Sequence, residues 1–516
     1  MAPRTHAPSM PTPRESSLLT TDRRARDFDA LSTSDRNVDV LVIGGGVTGA
    51  GVALDAASRG LDTVLVEAHD LAFGTSRWSS KLVHGGLRYL ASGDFAVAAE
   101  SARERHLLMT RIAPHLTHAL PQLMPFVPGV SVKQRATTRI GFALGDGLRR
   151  WAGTPSALLP PPRRIGAEEA LRLAPALKRD GLRGGILSPD GQLEDDAKLV
   201  VTIARTAAAY GARILTGVRA SEVTGDAVTL TDTATGSALR LRARVVINAT
   251  GVWAADIDAS MRLRPSRGTH LVFDAATFGS PTAALTVPHP GSTSRFVFAL
   301  PQRLGRVIVG LTDEAAPGPV PDVPAPEQHE IDFLLETVST ALERPLALAD
   351  VRGTFAGLRP LIAPPKSAGE DGATADISRR HHVAVSAHGI VNVLGGKLTT
   401  YRAMAEDAVD LACTHAGLNN AGSVTRWLPL VGAPGSALSP QAQAEILAES
   451  CEHPGERIAP GIDVTRGEVA FAVRAEGARN LDDVLDRRTR IGLVAKDRDA
   501  AYDAAAELVE TALRTR

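Results

Sequence analysis

A glycine-rich turn between a buried strand and a helix constrains the fold of this chain more than any other feature. Val38–Ile43 is a short, nearly continuous apolar run, as is typical of a buried parallel strand. It leads into the turn Gly44–Gly49, with the sequence GGGVTG, which fits the pattern G-x-G-x-x-G. Gly44 allows the tight turn, Gly46 lets the backbone approach a pyrophosphate, and Gly49 lets helix and strand pack closely. The pattern predicts a βαβ unit whose helix N-terminus faces a phosphate group.

A carboxylate stands where the second strand of this unit ends. The strand reads TVLVE, and its last residue, Glu67, lies 21 residues beyond Gly46. An acid at this spacing accepts hydrogen bonds from a ribose hydroxyl in dinucleotide-binding folds. It favours a free ribose over a 2′-phosphate, but it does not separate FAD from NAD, because both carry an ADP half. The alternative is a glycine-rich surface turn with an acid nearby by chance.

The composition indicates an ordinary globular protein with two or three domains. A chain of 516 residues is too long for one core, and 22% of its residues are charged. Lys and Arg together number 57, as do Asp and Glu, so no basic excess favours nucleic-acid binding. Cys413 and Cys451 lie outside any C-x-x-C pattern, and the histidines form no metal motif. We therefore expect no disulfide framework and no metal site, and without a long apolar run we expect a cytosolic chain.

A series of short motifs carries a family resemblance. They are FGTSRWSSKLVHGGLRYL (73–90), NATGVW (248–253), SRGTH (266–270), GLTD (310–313), GLRPL (357–361), GGKLTTYR (395–402) and DVLDRRTRIGL (483–493). In this order they closely resemble the FAD-dependent, quinone-linked glycerol-3-phosphate dehydrogenases, and the likeness spans about residues 37–495. Val252, Leu311 and Lys198 replace the Pro, Thr and Arg that are common in this family, and none of them carries a group that we assign to the chemistry.

The resemblance implies an α/β fold with three parts. These are a Rossmann-like FAD-binding domain built from separated segments, an inserted and mainly antiparallel β substrate domain, and a C-terminal helical domain. We place a disordered leader at 1–36, the FAD-binding domain at 37–115, 185–260 and 355–415, the substrate domain at 116–184 and 261–354, and the helical domain at 416–516. Asn480 is predicted to cap one of four helices in the last part.

The resemblance also implies an activity. The family oxidises sn-glycerol 3-phosphate to dihydroxyacetone phosphate, reduces FAD, and passes the electrons to a membrane quinone. One alternative is an oxidase that uses oxygen and produces hydrogen peroxide, or another FAD-dependent alcohol or amine oxidoreductase. An NAD-dependent enzyme and a non-enzymatic nucleotide sensor or scaffold are further alternatives. We expect a cytoplasmic protein attached peripherally to the inner face of the cell membrane, with a second copy of the chain as a candidate partner.

Two arginines are candidates for binding the substrate phosphate, because the planar guanidinium matches phosphate oxygens. By resemblance they are Arg88 and Arg359, both inside apolar, glycine-flanked motifs where an unpaired charge is costly. Tyr89 is a candidate for holding the substrate. Lys397 is expected to open a helix near the flavin and to act on the substrate or the flavin; the alternative is a lysine that points to water.

The proton acceptor is either His84 or His270, because histidine titrates near neutral pH. For each, a structural role is the alternative. The candidate FAD-binding residues come from the glycine turn, the acid that follows it and the family motifs: Gly44, Gly45, Gly46, Gly49, Glu67, Ser79, Ser80, Lys81, Gly251, Gly395, Gly396, Leu398 and Thr399.

One basic amphipathic segment, Val132–Gly153, suits contact with anionic lipid. It mixes Lys133, Arg135, Arg139, Arg149, Arg150 and Trp151 with Ile140, Phe142 and Leu144. The alternative is an ordinary surface helix with one face in the core.

Overall fold

Two β-sheets and a C-terminal group of helices make up the protein. The computed structural model describes residues 10–33, 37–86, 94–289, 295–363 and 380–514. The strands in this part of the chain are β1 (Val38–Ile43), β2 (Thr63–Glu67), β3 (Leu82–Val83), β4 (Thr117–Pro125), β5 (Arg163–Ile165), β6 (Gly185–Leu193), β7 (Arg213–Thr216), β8 (Val218–Ser221), β9 (Ala227–Asp232), β10 (Ala238–Asn248), β11 (Ser266–Asp274), β12 (Ala284–Pro288), β13 (Phe296–Gln302), β14 (Arg306–Gly310), β15 (Glu314–Ala315), β16 (Gly353–Arg359), β17 (His381–Val385) and β18 (Val391–Gly395). The helices are α1 (Thr21–Ser32), α2 (Val47–Ser58), α3 (Phe95–Leu107), α4 (Val132–Trp151), α5 (Ala167–Leu173), α6 (Asp196–Ala209), α7 (Ala254–Ile257), α8 (Gln328–Ser339), α9 (Tyr401–Ala416), α10 (Pro440–Ala448), α11 (Arg466–Arg474) and α12 (Ala495–Arg514).

The first sheet has a parallel centre that leads into the glycine turn. Its strands follow the order β17-β18-β10-β1-β2-β7, and β9 and β8 continue from β10. β1 pairs in parallel with β10 and β2, and β18 and β7 extend the parallel set on either side. Parallel strands end at a common edge, so Ile43, Glu67, Asn248 and Gly395 come together there.

Helices α2, α6 and α9 cover one face of this sheet and share its main hydrophobic core. α2 consists mostly of small residues, which lets neighbouring backbones approach. A Cβ atom on Gly51 would lie only 2.8 Å from Cδ2 of Tyr401 on α9. The close packing holds the helix that follows the glycine turn against the sheet.

The expectation of a disordered leader over residues 1–36 was wrong for the part of that segment that the structure describes. Helix α1 packs on the other face of the first sheet, where Phe28 and Leu31 are buried among side chains of β1, β2 and β9. Arg24 also forms an ion pair with Asp232. The segment is polar in composition, but Phe28 and Leu31 stand three residues apart and form an apolar stripe on the helix.

The second sheet is mainly antiparallel and confirms the predicted architecture of the inserted domain. Its strands follow the order β15-β11-β14-β13-β12-β4-β6-β3, with β16 beside β11 and β5 beside β6. Among the pairings of these described strands, only β12 with β4 is parallel. Side chains of α5 and α8 join the hydrophobic core on one face.

Two strands that the predicted boundaries place wholly or largely in the FAD-binding domain belong to this second sheet. β6 pairs with β4 along its whole length, from Gly185 to Leu193, and β16 pairs with β11. Their backbone hydrogen bonds therefore lie in the second sheet, and the boundaries placed at residues 185 and 355 need correction.

The C-terminal part contains α10, α11 and α12, and side chains of α11 and α12 share a hydrophobic core of their own. The segment NLDDVLDRRTR (480–490), predicted to be one of the four helices, is helical and takes the π-helical form over Asp483–Arg488. The predicted cap is present, because Oδ1 of Asn480 accepts a hydrogen bond from the backbone nitrogen of Asp483 at 2.9 Å. The three-part α/β fold inferred from the sequence is confirmed.

Candidate active site

A cavity of about 940 Å³ lies between the two sheets. The first sheet and its connections contribute Gly44, Glu67 and Gly395 to the walls, and the second contributes His270 and Arg359. Residues far apart in the sequence thus face one space. The cavity is large and polar enough at its walls to be the default ligand site of the molecule.

The glycine turn forms one end of the cavity and fits closely against its surroundings. Gly44 has φ of +110°, and a Cβ atom there would lie 2.7 Å from the carbonyl oxygen of Ala249. A Cβ atom on Gly49 would lie 1.9 Å from the carbonyl oxygen of Gly44. The backbone nitrogen of Val47, in the first turn of α2, donates to Oγ of Ser76 at 2.9 Å. Only glycine suits Gly44 and Gly49, which leaves the backbone open to a ligand.

Glu67 lies at the end of β2 and borders the cavity. Its carboxylate accepts hydrogen bonds from the backbone nitrogens of Gly45 at 2.7 Å and His69 at 2.8 Å. Burial raises the pKa of this carboxyl, and the two backbone donors act in the opposite direction. The side chain is therefore oriented by the backbone before any ligand arrives.

The loop that follows β2 is tied to the start of α6. Asp196 accepts hydrogen bonds from the backbone nitrogen of Ser79 at 2.9 Å and from its hydroxyl at 2.8 Å. Lys81 forms an ion pair with Asp196 at 3.2 Å, and both side chains are buried. Ser79 and Ser80 line the cavity, whereas Lys81 lies behind its wall. Because Nζ of Lys81 turns to Asp196, its expected contact with the cofactor is not supported by its position.

His270 lies in β11 with its ring against that of Phe355, at a centroid distance of 4.6 Å. Its Nε2 and the hydroxyl of Ser80 are 2.9 Å apart. Burial, followed by the charges of Lys81 and Arg359, lowers the pKa of this imidazole to about 3. His270 is therefore a neutral imidazole that faces the cavity at physiological pH.

His84, the other histidine candidate, also lines the cavity. It follows β3, and its Nδ1 accepts a hydrogen bond from the backbone nitrogen of Gly86 at 3.3 Å. The structure therefore brings His84 and His270 to the same cavity. The predicted substrate residues Arg88 and Tyr89 lie outside the described residues.

Arg359 ends β16, and its guanidinium is held by three oxygens. It donates to Oγ of Ser266 at 3.1 Å and to the carbonyl oxygen of Thr312 at 3.0 Å, and it pairs with Asp313 at 3.2 Å. A Cβ atom on Gly268 would lie 2.3 Å from Nη2, so the guanidinium lies directly over this glycine. The partners Ser266 and Asp313 belong to the SRGTH and GLTD motifs, but their contact with Arg359 was missed.

The GGKLTTYR motif forms the wall beside β18. Gly395 and Gly396 have φ of +70° and +75°, in the left-handed region. Lys397 does not open α9 directly, because the 3₁₀ turn Leu398–Thr400 comes first. Its Nζ donates to Oγ of Ser101 at 2.5 Å. All five residues from Gly395 to Thr399 line the cavity, as does Gly251 of the NATG motif.

A buried network of amides and a carboxylate connects two of these motifs. Nδ2 of Asn248 donates to Oδ1 of Asn392 at 2.8 Å, and Nδ2 of Asn392 donates to Asp258 at 2.8 Å. Asn248 ends β10 and Asn392 lies in β18, so the network holds the NATG and GGK turns together. Asn248 belongs to the NATG motif, whereas Asn392 and Asp258 lie in none of the motifs, so the sequence did not predict their part in this network.

The helices and side chains of the described residues exclude two kinds of feature within that part of the chain. None of these helices is long and apolar enough to cross a membrane. No group of three or more His, Cys, Asp or Glu side chains among the described residues is placed to hold a metal ion.

The chain resembles known flavoproteins throughout. Residues 39–402 match the family described as FAD dependent oxidoreductase, and residues 441–515 match the family described as C-terminal domain of alpha-glycerophosphate oxidase. The chain is 56% identical to glycerol-3-phosphate dehydrogenase 1 of Mycobacterium tuberculosis, covering 96% of this chain and 99% of that protein. It is 34% identical to the mitochondrial glycerol-3-phosphate dehydrogenase SDP6 of Arabidopsis thaliana, covering 93% of this chain and 83% of that protein.

The fold is similar to that of a solved structure with its cofactor bound. The glycerol-3-phosphate dehydrogenase of Bacillus halodurans complexed with FAD superposes with a TM-score of 0.71 at 25% identity, covering 96% of this chain and 94% of the other. The L-alpha-glycerophosphate oxidase of Mycoplasma pneumoniae shares the fold at a TM-score of 0.55 and 17% identity, covering 77% of this chain and 99% of the other.

Proposed function

Because the chain belongs to the family of FAD-dependent glycerol-3-phosphate dehydrogenases, we propose that it oxidises sn-glycerol 3-phosphate to dihydroxyacetone phosphate. The relatives named for this activity match almost the whole chain, including both the cavity and the C-terminal helices. Their shared name supports the substrate, and the arrangement of the cavity supports the roles of individual residues.

One observation carries the proposal: a cation and a neutral imidazole lie side by side in the cavity. The guanidinium of Arg359 lies over Gly268, which is two residues from His270 in β11. Residues two apart in a strand lie on the same face, about 7 Å from each other. This separation suits a short phosphorylated alcohol, with its phosphate on Arg359 and its hydroxyl beside His270.

FAD is the cofactor of this family, and the residues of the cavity fit it. Gly44, Gly46 and the backbone at the start of α2 would hold the pyrophosphate, where a Cβ atom on Gly44 would collide with the neighbouring backbone. Glu67 would bind the ribose. The turn at Gly395 and Gly396, with Leu398, Thr399, Ser79, Ser80 and Gly251, would surround the flavin. When bound, FAD supplies the acceptor for the hydride of the substrate carbon.

The hydroxyl proton has two candidate acceptors in the cavity. Ser80 and Phe355 hold the ring of His270 in a fixed orientation at the cavity wall. A pKa of about 3, caused first by burial, makes it a weak base. We therefore assign His270 to orienting the hydroxyl and His84 to accepting its proton.

Lys397 is proposed to contribute positive charge next to the flavin and the substrate. It lines the cavity at the glycine turn, and its Nζ contacts Ser101. A fixed cation stabilises negative charge that develops during the reaction. Arg88 and Tyr89, which carry the family motif, are proposed as further substrate ligands.

The proposal is tested by mixing the purified FAD-bound protein with sn-glycerol 3-phosphate without oxygen. We expect bleaching of the flavin absorbance and formation of one dihydroxyacetone phosphate per flavin. Glycerol without the phosphate is the matched control and should bleach the flavin far more slowly. An oxidised flavin after prolonged exposure to sn-glycerol 3-phosphate would rule out this substrate.

We further propose a quinone as the electron acceptor, as the family resemblance implies. Oxygen is the second candidate, because residues 441–515 match a domain described for an oxidase. Stopped-flow reoxidation of the reduced flavin by a quinone analogue and by oxygen separates the two. Faster reoxidation by the quinone analogue is expected, and rapid peroxide formation with oxygen would reverse the assignment.

Peripheral attachment to the inner face of the cell membrane is proposed for α4. Val132, Ile140, Leu144 and Trp151 are large apolar residues that are exposed on this helix. Two residues of the segment Val132–Gly153 cannot contact lipid, because Phe142 and Arg149 are buried on the opposite side of the helix. An exposed apolar stripe with basic residues beside it suits insertion at an anionic lipid surface.

Cosedimentation with vesicles of anionic and of zwitterionic lipid tests this attachment. The double substitution Ile140→Ser and Leu144→Ser should abolish binding to anionic vesicles while leaving the FAD content unchanged. The control is Val323→Ser, at an exposed apolar residue outside α4. Equal binding of all three proteins would contradict the proposal.

A further inference from the structure

Three arginines of the C-terminal part are buried although nothing in the proposed reaction uses them. Arg487, Arg488 and Arg490 lie in the motif DVLDRRTRIGL, and each is less than a tenth exposed. A buried charge is costly unless it is paired and hydrogen-bonded. The partners of these arginines therefore show which parts of the protein the segment is bonded to.

Asp70, three residues beyond Glu67, is the partner of two of these arginines. Arg488 binds both of its carboxylate oxygens at 2.8 Å, and Arg487 donates to one of them at 2.7 Å. Arg487 also pairs with Asp483 of its own segment. Despite its burial, the charges of Arg488 and Arg487 lower the pKa of Asp70. Asp70 and Asp483 pair with these arginines and Glu476 lies 3.9 Å from Arg488, so the contact is a multiply bonded ionic link.

Arg490 reaches the far end of the same loop. Its Nη2 donates to the carbonyl oxygen of Arg77 at 2.7 Å, and its Nε lies 3.3 Å from Asp195. Asp195 caps α6, and the next residue, Asp196, holds Ser79 and Lys81. Arg490 thus supports the loop directly through its backbone and indirectly through the start of α6.

The backbone of the segment is itself held by the second sheet. Arg306, in β14, donates from Nη1 to the carbonyl oxygen of Arg490 at 2.7 Å. The arginine segment therefore lies between the second sheet and residues 70–81. Those residues include Ser76, which contacts the start of α2, and Ser80, which contacts His270.

We propose that the C-terminal domain positions the FAD-binding loop 70–81 through Arg487, Arg488 and Arg490. These are positioning residues, since they contact the loop and its supports rather than the cavity. By setting Ser76, Ser79 and Ser80, they determine how tightly FAD is held. The inference rests on FAD as the cofactor and is independent of the substrate and of the electron acceptor.

The first test is titration of the FAD-free, full-length protein with FAD, followed by flavin fluorescence. Arg490→Gln should raise the FAD Kd about tenfold, which corresponds to about 1.4 kcal/mol. Arg490→Lys keeps the charge beside Asp195 and should recover part of the affinity. The matched control is Arg457→Gln, in the same domain, whose partner Asp463 lies at the surface. It should leave the Kd unchanged. An unchanged Kd in Arg490→Gln would overturn the proposal, even if that variant unfolds at a lower temperature.

The second test uses the unmodified protein and so does not depend on how any variant folds. Coupling between two sites is reciprocal, so FAD binding should in turn stabilise the arginine segment. We expect hydrogen–deuterium exchange of residues 483–493 to slow when FAD is added, together with that of 70–81. Protection of 70–81 alone would show that the segment is only a structural support, and it would overturn the proposal.

Discussion

The imidazole of His270 lies between the ring of Phe355 and the hydroxyl of Ser80, with two cations nearby. Burial and the charges of Lys81 and Arg359 all disfavour its protonated form. The same residue in a solvated loop would titrate near neutral pH. Its chemistry is thus set by its neighbours, and the motif SRGTH alone does not reveal them.

The low pKa of His270 makes a prediction about stability. In the unfolded chain the group has its ordinary pKa of 6.5, against about 3 in the fold. The unfolded state therefore binds the extra proton between these values, and stability falls as the pH drops below about 6.5. Between pH 7 and pH 5 this group removes about 2 kcal/mol, a loss that His270→Gln should abolish in chemical denaturation of the FAD-free protein.

His381 provides a control, because its pKa is shifted in the opposite direction to that of His270. The hydrogen bond that His381 donates to the carboxylate of Asp407 raises the pKa of His381. Its contribution is fully present at low pH and is lost as the pH rises, so His381→Gln should lower stability more at pH 5 than at pH 8. If the His270→Gln variant loses as much stability as the wild type when the pH drops from 7 to 5, the low pKa is not that of His270.

Arg359 gives a prediction about the substrate. Arg359→Ala removes the cation over Gly268 and should raise KM for sn-glycerol 3-phosphate by about a hundredfold, as expected for the loss of a charged hydrogen-bond pair of roughly 2.7 kcal/mol. The FAD content, measured from the flavin absorbance, should not change. Arg352→Ala is the control. Arg352 directly precedes β16, which Arg359 ends, and its side chain pairs with Asp274 at the surface. A wild-type KM in Arg359→Ala would remove this residue from the phosphate site.

At the scale of elements, the register between paired strands decides which side chains meet in the cavity. β11 pairs with β14 on one side and β16 on the other, which places Ser266 opposite Arg359 and His270 opposite Phe355. A shift of the register by one residue would turn each of these side chains to the other face. Gly268 lies between them and leaves the space for the guanidinium.

Helix α1 gives a prediction about stability at the same scale. Phe28 is buried between this helix and the first sheet. Phe28→Ala should lower the free energy of unfolding by about 3 kcal/mol, because it leaves a cavity in a packed core. Tyr502→Ala is the control, since Tyr502 is about half exposed on α12. If Phe28→Ala and Tyr502→Ala have the same small effect in urea denaturation, α1 contributes little to the fold.

At the scale of the whole molecule, the cavity depends on two sheets and on the C-terminal segment behind one of its loops. The first sheet supplies Gly44 and Glu67, and the second supplies His270 and Arg359. A ligand that touches both sheets stabilises their mutual arrangement by mass action.

Because the cavity lies between the two sheets, we expect FAD to stabilise both sheets together against unfolding. FAD at one hundred times its Kd should stabilise the protein by about 2.7 kcal/mol. Differential scanning calorimetry of the protein with and without FAD should show one transition that moves as a unit. Two transitions, of which FAD moves only the earlier one, would show that the sheets unfold independently.

The sequence by itself determined the parts that depend on local pattern. The turn at Gly44, the strand before it and the helix after it follow from apolar periodicity and from glycine at fixed spacing. The ordered motifs determined the family, the cofactor and the division into an α/β part, an antiparallel part and a helical part. Glu67 was predicted from its spacing to Gly46, and His270, Arg359 and Lys397 were predicted from their motifs. All four side chains line the cavity.

Only the tertiary structure decided which of these residues meet. The pairing of Arg359 with Asp313, the contact of Lys81 with Asp196 and the link from Asp70 to the arginine segment all join positions far apart in the chain. Helix α1 was missed because a polar composition concealed two buried side chains. Burial and long-range pairing arise from packing between elements, and composition and spacing within one segment do not determine that packing.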